Sequence, residues 1–367
     1  MTPISVSLAA EQLRRRVPGG IGTYARGLLK GIAELATGER PRITIVASRP
    51  PFRPDPLTSF GCPVVCSRLP GPLMTRAWDL GLTRVGRGSD VVHSVSLAVP
   101  VASSGVPLVM TVHDVAWRSM PEAFPPRGRR WHEAALRRAA SRAAIVVVPS
   151  EATANAVLAA GVGIADDRLV VVNEGADHLG EPDEPAAQAL LERLGVLGPY
   201  LLTVSTLEPR KNLPALVEAW REVRRHHAVE LVLVGRRRAD FPALAEEPGL
   251  RMMGEVPDAA LPQLYSGALA LVYPSLYEGF GLPVLEAMQC GACVIASRAV
   301  AEAAGDAAVY AESPTDLARA MSEAAARPEW RAELGARSLE RAREFSWERT
   351  ARMTHEVYEE ARRRFGD

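Results

Sequence analysis

Two short segments of this 367-residue chain place opposite charges where an anionic, hydroxyl-rich ligand would need them. The first, Leu207-Glu208-Pro209-Arg210-Lys211-Asn212, leaves an apolar run at 200–205 and enters a helical pattern near Leu213. A fork-shaped guanidinium beside a compact ammonium suits a diphosphate, one giving bidentate bonds and the other a mobile point charge. Only Lys30 and Lys211 are lysines among 43 basic residues, so the ammonium at 211 stands against a strong arginine preference. The second segment runs from Glu278 through Phe280-Gly281-Leu282-Pro283 to Glu286, after the apolar run 269–273. A strand, a glycine turn and a helix start make an anion and hydroxyl site, because backbone N–H groups converge there and the helix dipole adds positive potential. Pro283 fits the first helical turn. Glu286 lies about one turn further in and leans back toward that end, while Glu278 flanks it from the loop.

Three weaker features lie in the first half. Gly19-Gly20-Ile21-Gly22 sits between the first strand and the first helix, where a glycine turn lets backbone approach a phosphate or sugar or simply packs a helix on its sheet. His113-Asp114 closes the apolar run 108–112, a position facing the ligand crevice of a parallel sheet; the structural alternative is a satisfied histidine bridging loops. Arg127-Gly128-Arg129-Arg130-Trp131, with Arg137, Arg138 and Arg142, reads most simply as a solvated helix face. An anionic membrane or a lipid-diphosphate acceptor is the alternative. No HExxH, nucleophile elbow, Walker loop or Asp-x-Asp pair is present, so neither a metal nor a cofactor is expected.

The elements that must hold these residues alternate between strand-like and helix-like runs, which predicts parallel α/β architecture. Strands are predicted at 4–8, 42–47, 64–67, 91–95, 108–112, 144–148 and 169–172, then at 200–205, 230–234, 250–254, 269–273 and 293–296. Helices are predicted at 22–35, 129–142, 151–159, 213–226 and 259–266, with a helical tail from 315 to 364 that breaks near Phe345-Ser346-Trp347. Ser150 is the expected cap of the helix at 151, and Asn212 of the helix at 213. The polar stretch 178–186 reads as a linker between two domains.

Composition sets the remaining bounds. With 47% hydrophobic and 23% charged residues the chain is an ordinary globular one, too long for a single comfortable core. Net charge is zero, yet residues 1–176 carry 21 Lys and Arg against 13 Asp and Glu, and the remainder 22 against 30. A basic front half of that size suits an anionic surface or acceptor rather than nucleic acid. No apolar run spans a bilayer, and the N-terminus lacks a secretory pattern, so a cytoplasmic protein is expected, with peripheral contact at the inner membrane face as an option for its basic half. The four cysteines read as buried free thiols, with a zinc or redox site as the less favoured alternative.

Taken in order, Gly19-Gly20-Ile21-Gly22, Val112-His113-Asp114, Val148-Pro149-Ser150, Leu207 to Asn212, Glu278 to Glu286 and Phe345-Ser346-Trp347 resemble glycosyltransferase family 4 over nearly the whole length. The resemblance implies the GT-B fold: two Rossmann-like domains whose parallel sheets face an interdomain cleft. Residues 1–177, completed by a final helix at 347–367, would form the acceptor-side domain, and 178–346 the nucleotide-sugar domain. It implies a retaining, metal-independent hexosyltransferase using a GDP- or UDP-hexose, with mannose weakly preferred. Arg210 and Lys211 would bind the donor diphosphate as it leaves, and Glu286 the ribose hydroxyls. Glu278 and the backbone of Phe280, Gly281 and Leu282 would hold the donor sugar. His113 would contact the sugar near the reacting centre, Gly20 the phosphates, and Asp114 the acceptor. Rival readings are a phosphorylase or synthase on the same fold, and a non-catalytic nucleotide-sugar-binding subunit. The latter would be expected to have lost Arg210, Lys211 or the two glutamates. A polysaccharide repeat, a polyprenyl-linked sugar and a small-molecule aglycone all fit as acceptors.

Overall fold

The computed structural model describes residues 3–366 apart from 16–18, 52–53, 182, 194, 197, 240 and 243. The chain forms two compact units, Met1–Gly175 with Ser346–Asp367, and Ala176–Phe345. Each is built on a parallel sheet, as the alternation of apolar and helical segments requires. No described helix is long and apolar enough to cross a membrane.

The first unit holds β1 (Ser5–Ala9), β2 (Arg42–Ala47), β3 (Val64–Cys66), β4 (Arg84–Val85), β5 (Val91–Ser94), β6 (Val101–Ala102), β7 (Leu108–Thr111), β8 (Ile145–Val148) and β9 (Leu169–Val171). Seven of these pair in the order β3-β2-β1-β5-β7-β8-β9, and β4 pairs with β6 apart from them. The register sets Val6 beside Ile43 on one side and Val91 on the other. Every residue of β5, β7 and β8 is buried, which is why these strands read as continuous apolar runs rather than alternating ones. The strands β4 and β6 are two residues each and too short to carry a periodic signal. Ser150 caps the helix Glu151–Ala159 as expected, its hydroxyl accepting from the Thr153 N–H at 3.0 Å.

The helix Gly19–Glu34 starts earlier than the sequence suggests, so Gly19 to Gly22 are its first turn rather than a loop before it. Gly19 has φ +61°, which glycine adopts without strain. Two further glycines in this helix meet the C-terminal helix Trp347–Gly366 closely. A Cβ on Gly27 would lie 2.0 Å from the Trp347 ring, and one on Gly31 2.0 Å from the Trp347 carbonyl oxygen. A backbone oxygen cannot swing aside as a side chain can. Gly31→Ala is therefore expected to destabilise the fold by roughly 1–3 kcal/mol or more. Gly128→Ala, in the helix Pro126–Arg142 with 3.9 Å to its nearest neighbour, should be neutral or slightly stabilising. Thermal melting of the two variants checks the contrast, and equal melting temperatures would contradict this packing.

The second unit holds β10 (Tyr200–Val204), β11 (Glu230–Val234), β12 (Leu250–Gly254), β13 (Ala270–Tyr273), β14 (Val294–Ala296) and β15 (Val309–Tyr310). Their order is β12-β11-β10-β13-β14-β15. Adjacent residues feed opposite faces: Leu202, Val232 and Leu271 join one apolar cluster with Val284 and Leu285, while Leu201, Leu231 and Val272 join another with Leu216 and Trp220. The Trp220 indole N–H, fully buried, donates to the Val229 carbonyl at 3.1 Å.

The described part of 178–186 is not a free linker. It belongs to the second unit, where a helix already begins at Glu184 (Glu184–Arg193). Asp183 accepts from the Ala186 N–H at 3.0 Å, so the acidic, proline-bearing composition that reads as linker is a helix-start signal. The helical tail likewise breaks twice: after Ala326, where Pro328 opens a new helix, and before Trp347.

Candidate active site

The second unit collects its charged residues at the carboxyl ends of three neighbouring strands, β11, β10 and β13. From β10 the chain runs into a short turn, Pro209–Lys211, and then Asn212. Asn212 has φ +53°, the only described non-glycine residue with positive φ. Asparagine tolerates that region. It occupies the cap position of the helix Leu213–Val223, but its side chain makes no cap bond, contrary to expectation. The two residues before it, Arg210 and Lys211, meet the loop after β13 at Glu278. That loop is tied to them, the Leu276 N–H donating to the Arg210 carbonyl at 2.8 Å.

Arg210, Lys211 and Glu278 form one cluster, with Lys211 buried and the other two half-buried. Arg210 Nη1 donates to Glu278 Oε2 at 3.0 Å, and Lys211 Nζ donates to Glu278 Oε1 and, at 2.7 Å, to the Tyr273 hydroxyl. The Lys211 ammonium also sits 4.8 Å from the centroid of the Tyr273 ring. Burial alone would raise the Glu278 pKa, but the charges of Lys211 and Arg210 overcome it and hold the carboxyl down at about 2. Burial lowers the Lys211 pKa, with Glu278 opposing the shift. Both oxygens of Glu278 thus accept from the two cations, and each keeps a second lone pair. In this arrangement it is their counter-ion, and a sugar hydroxyl can still donate to it while both cations stay in place.

Two further members, Glu208 inside the Leu207–Asn212 segment and Arg238 outside it, received no role from the sequence. Glu208 accepts from Arg210 Nε at 2.5 Å and from Arg238 Nη1 at 3.0 Å, so it bridges the loops after β10 and β11. The cluster then holds three cations, Arg210, Lys211 and Arg238, against the two carboxylates Glu208 and Glu278. The signal that could have found Arg238 is the run Gly235-Arg236-Arg237-Arg238 directly after a buried strand.

Glu286 lies apart from this cluster, in the first turns of the helix Leu282–Gln289. It is buried, accepts from the Tyr265 hydroxyl at 2.8 Å through Oε2, and lies 3.2 Å from His178 Nε2 through Oε1. Neither Tyr265 nor His178 was legible as a site residue. Gly281 caps this helix with φ +109°, and a Cβ there would meet Val300 Cγ1 at 2.6 Å, so only glycine fits. The side chains of Phe280 and Leu282 are buried, Phe280 edge-on to Phe345 at 5.6 Å. Any ligand contact at 280–282 is therefore made by backbone.

In the first unit, Gly20 sits in the open first turn of its helix, with nothing within 4 Å of a would-be Cβ. Asp114 accepts from the Ala116 N–H at 3.0 Å, a local turn bond that leaves its other oxygen for a ligand. His113 has both ring nitrogens engaged, Nδ1 with Glu174 Oε1 at 3.0 Å and Nε2 with the Val95 carbonyl at 3.0 Å. It is a satisfied histidine bridging two loops, and touching a sugar would require it to release one partner. Burial works against the charged ring, but the Glu174 bond and charge outweigh burial and raise its pKa. Two acceptors around one ring favour the imidazolium.

A sign follows for pH. The stability from this pair is full below the ordinary histidine pKa and fades as pH rises through the raised one. Glu174→Gln should return the His113 pKa toward its ordinary value, seen in the titration of its ring by NMR. The variant should lose roughly 1–3 kcal/mol of stability at mildly acidic pH and much less at alkaline pH. An unchanged titration would contradict the pairing.

The basic stretch on the helix Pro126–Arg142 is partly consumed by the fold. Arg138 lies 2.6 Å from Asp79, and Arg142 donates to the carbonyls of Trp78 and Val99. Arg137 and Arg118 share Glu133. Among the described residues no group of three or more His, Cys, Asp or Glu is placed to hold a metal ion, and all four cysteines are free.

Comparison with known proteins agrees with this geometry. Residues 18–178 match the family described as Glycosyltransferase Family 4, and residues 198–327 match Glycosyl transferases group 1. The O-antigen chain mannosyltransferase B of Escherichia coli is 32% identical over 68% of this chain and 69% of its own length. The MMP alpha-(1->4)-mannosyltransferase of Mycolicibacterium hassiacum is 28% identical over 94% of this chain and 95% of its own. Anabaena Alr3699/HepE, solved in complex with UDP-glucose, superposes with a TM-score of 0.74 over 97% of this chain and 100% of that one at 19% identity, a likeness of fold. With both halves matched and that identity to a relative of similar span, the chain belongs to glycosyltransferase family 4, an enzyme of GT-B fold that transfers a sugar from a nucleotide donor.

Proposed function

We propose that the protein is a retaining hexosyltransferase that moves mannose from a GDP- or UDP-linked donor to an acceptor hydroxyl without a metal ion. The observation that carries this reading is the cluster of Arg210, Lys211 and Arg238 against Glu208 and Glu278, at the carboxyl ends of adjacent parallel strands. Breaking a sugar–diphosphate bond builds negative charge on the leaving oxygen and positive charge on the anomeric carbon. Fixed cations at the diphosphate meet the first requirement directly.

Glu286 supplies acceptors for the ribose hydroxyls at the other end of the nucleotide, and the backbone of 280–282 supports the sugar. No residue stands out as a protein nucleophile. Retention is assigned to attack on the face that the leaving group vacates, with a diphosphate oxygen taking the acceptor proton. Mannose is supported by the mannosyltransferases among the relatives. The UDP-glucose held by the Anabaena protein keeps uridine beside guanosine as the base.

Thermal-shift measurements with GDP, UDP and dTDP test the donor half. A nucleotide present at a hundred times its Kd should stabilise the protein by about 2.7 kcal/mol, a rise in Tm of several degrees. Three flat responses would sink the proposal.

A further inference from the structure

The first unit contains a pocket of about 1140 Å3 that none of the roles above uses. It lies where the segments after β1, β2 and β3 meet the starts of the helices Gly71–Asp79 and Pro126–Arg142. Its acidic lining is already committed. Glu11 accepts from the Ser48 N–H at 2.8 Å and the Ser48 hydroxyl at 2.7 Å. Asp79 takes Arg138 on one oxygen and the Trp131 indole N–H, at 3.1 Å, on the other. The buried Arg14 is likewise paired with Asp55.

The rim is basic. Arg15, Arg49, Arg76 and Arg127 all line this pocket and are all exposed. None of them has a carboxylate at ion-pair distance among the described residues. Other exposed arginines of this chain do have carboxylate partners, as Arg362 has Glu359 and Arg221 has Glu247. Four like charges around one concavity repel each other, and that repulsion is relieved by an anion bound between them. Guanidinium forks match phosphate oxygens two at a time. Trp131, held by Asp79, gives one wall an aromatic surface of the kind that lines ligand pockets.

We propose that this pocket binds the phosphate ester of a phosphorylated acceptor, with Arg15, Arg49, Arg76 and Arg127 as its donors and Trp131 against the adjoining sugar or chain. The word acceptor rests on the glycosyl-transfer reading above; the phosphate chemistry rests on the pocket alone. The phosphate could belong to a soluble sugar phosphate or to a lipid headgroup, and the two sources give different results.

The test uses the full chain with saturating GDP and UDP, so that the second unit's cluster is occupied. Mannose 1-phosphate and uncharged methyl mannoside are titrated by calorimetry, and vesicles of phosphatidylglycerol or phosphatidylcholine are assayed by sedimentation. The variant Arg76→Ala/Arg127→Ala is compared with Arg130→Ala/Arg137→Ala, which loses the same charge from the same region outside the pocket. Preference for mannose 1-phosphate over methyl mannoside, weakened on the order of tenfold or more only in the first variant, supports the proposal with a soluble ligand. Sedimentation with phosphatidylglycerol, lost only in the first variant, supports it with a lipid ligand. If neither probe separates the two variants, the proposal is overturned. Repeating the titration on Lys211→Ala protein separates the two readings, since binding that persists there stands even where the donor-site assignment fails.

Discussion

Lys211→Ala is expected to reduce the rate of sugar transfer by about a hundredfold or more while leaving the protein folded. The magnitude follows from the loss of one fixed donor to a leaving group in a water-poor site, about 3 kcal/mol. Lys211 is buried and makes two side-chain bonds, to Glu278 and to Tyr273, so its removal has a structural side that must be separated. Glu278 keeps Arg210 as a partner in the variant, which prevents an unpaired buried carboxylate. Its pKa should nevertheless rise from about 2, because the charge of Lys211 is the larger of the two that depress it. At neutral pH it remains ionised, and the cluster loses one positive charge. Turnover should therefore fall far more than nucleotide affinity, the pattern of an interaction made chiefly in the transition state. Lys211→Arg should not restore the rate, since a planar fork cannot occupy the space of a compact ammonium between Tyr273 and Glu278. Near-normal turnover in Lys211→Ala would refute the role given to the cluster.

The ease with which the fold could be read, and the difficulty with the site, have one physical source. Strands such as Leu108–Thr111 and Ile145–Val148 are buried on every residue and declare themselves through apolar composition alone. Short elements such as β4, β6 and β15 are held by neighbours rather than by their own pattern, and they were invisible. Arg210, Lys211, Glu278 and Glu286 were legible because each stands at the junction of a strand with a helix, a local arrangement. Glu208 and Arg238 meet between loops of adjacent strands, while Tyr265 and His178 reach Glu286 from another helix and a loop. Glu208 meets Arg238 over thirty positions, and Tyr265 meets Glu286 over twenty-one. No spacing rule links such pairs, because tertiary packing and not the chain between them sets the distance. His113 combines the two cases. Its place at a strand end was legible, and its partners Val95 and Glu174, which come from neighbouring loops, were not.

Glu286→Gln is expected to weaken the donor by roughly ten- to a hundredfold, seen mainly in KM. The ribose hydroxyls are donors as well as acceptors, and a carboxylate offers them acceptor capacity on both oxygens. Glutamine keeps the volume but turns one of those oxygens into an NH2 group. It thereby exchanges charge-assisted bonds, worth about 1.5–3 kcal/mol each, for neutral ones. The same NH2 must also face either the Tyr265 hydroxyl, a donor at 2.8 Å, or the His178 ring at 3.2 Å, so the local geometry is disturbed before any ligand arrives. Tyr265→Phe separates these contributions. It leaves the carboxylate charge intact and removes only the bond that fixes one oxygen. Burial and the Glu286 charge both keep that phenol protonated, so it acts as a donor throughout the working range. The expected result is a donor KM raised a few-fold, with kcat changed little. A graded series, with Tyr265→Phe between the parent and Glu286→Gln, is what a positioning bond behind a binding carboxylate must give. If Glu286→Gln instead lowers kcat and leaves KM alone, this carboxylate works at the reacting sugar and not at the ribose, and the orientation proposed for the nucleotide has to be reversed.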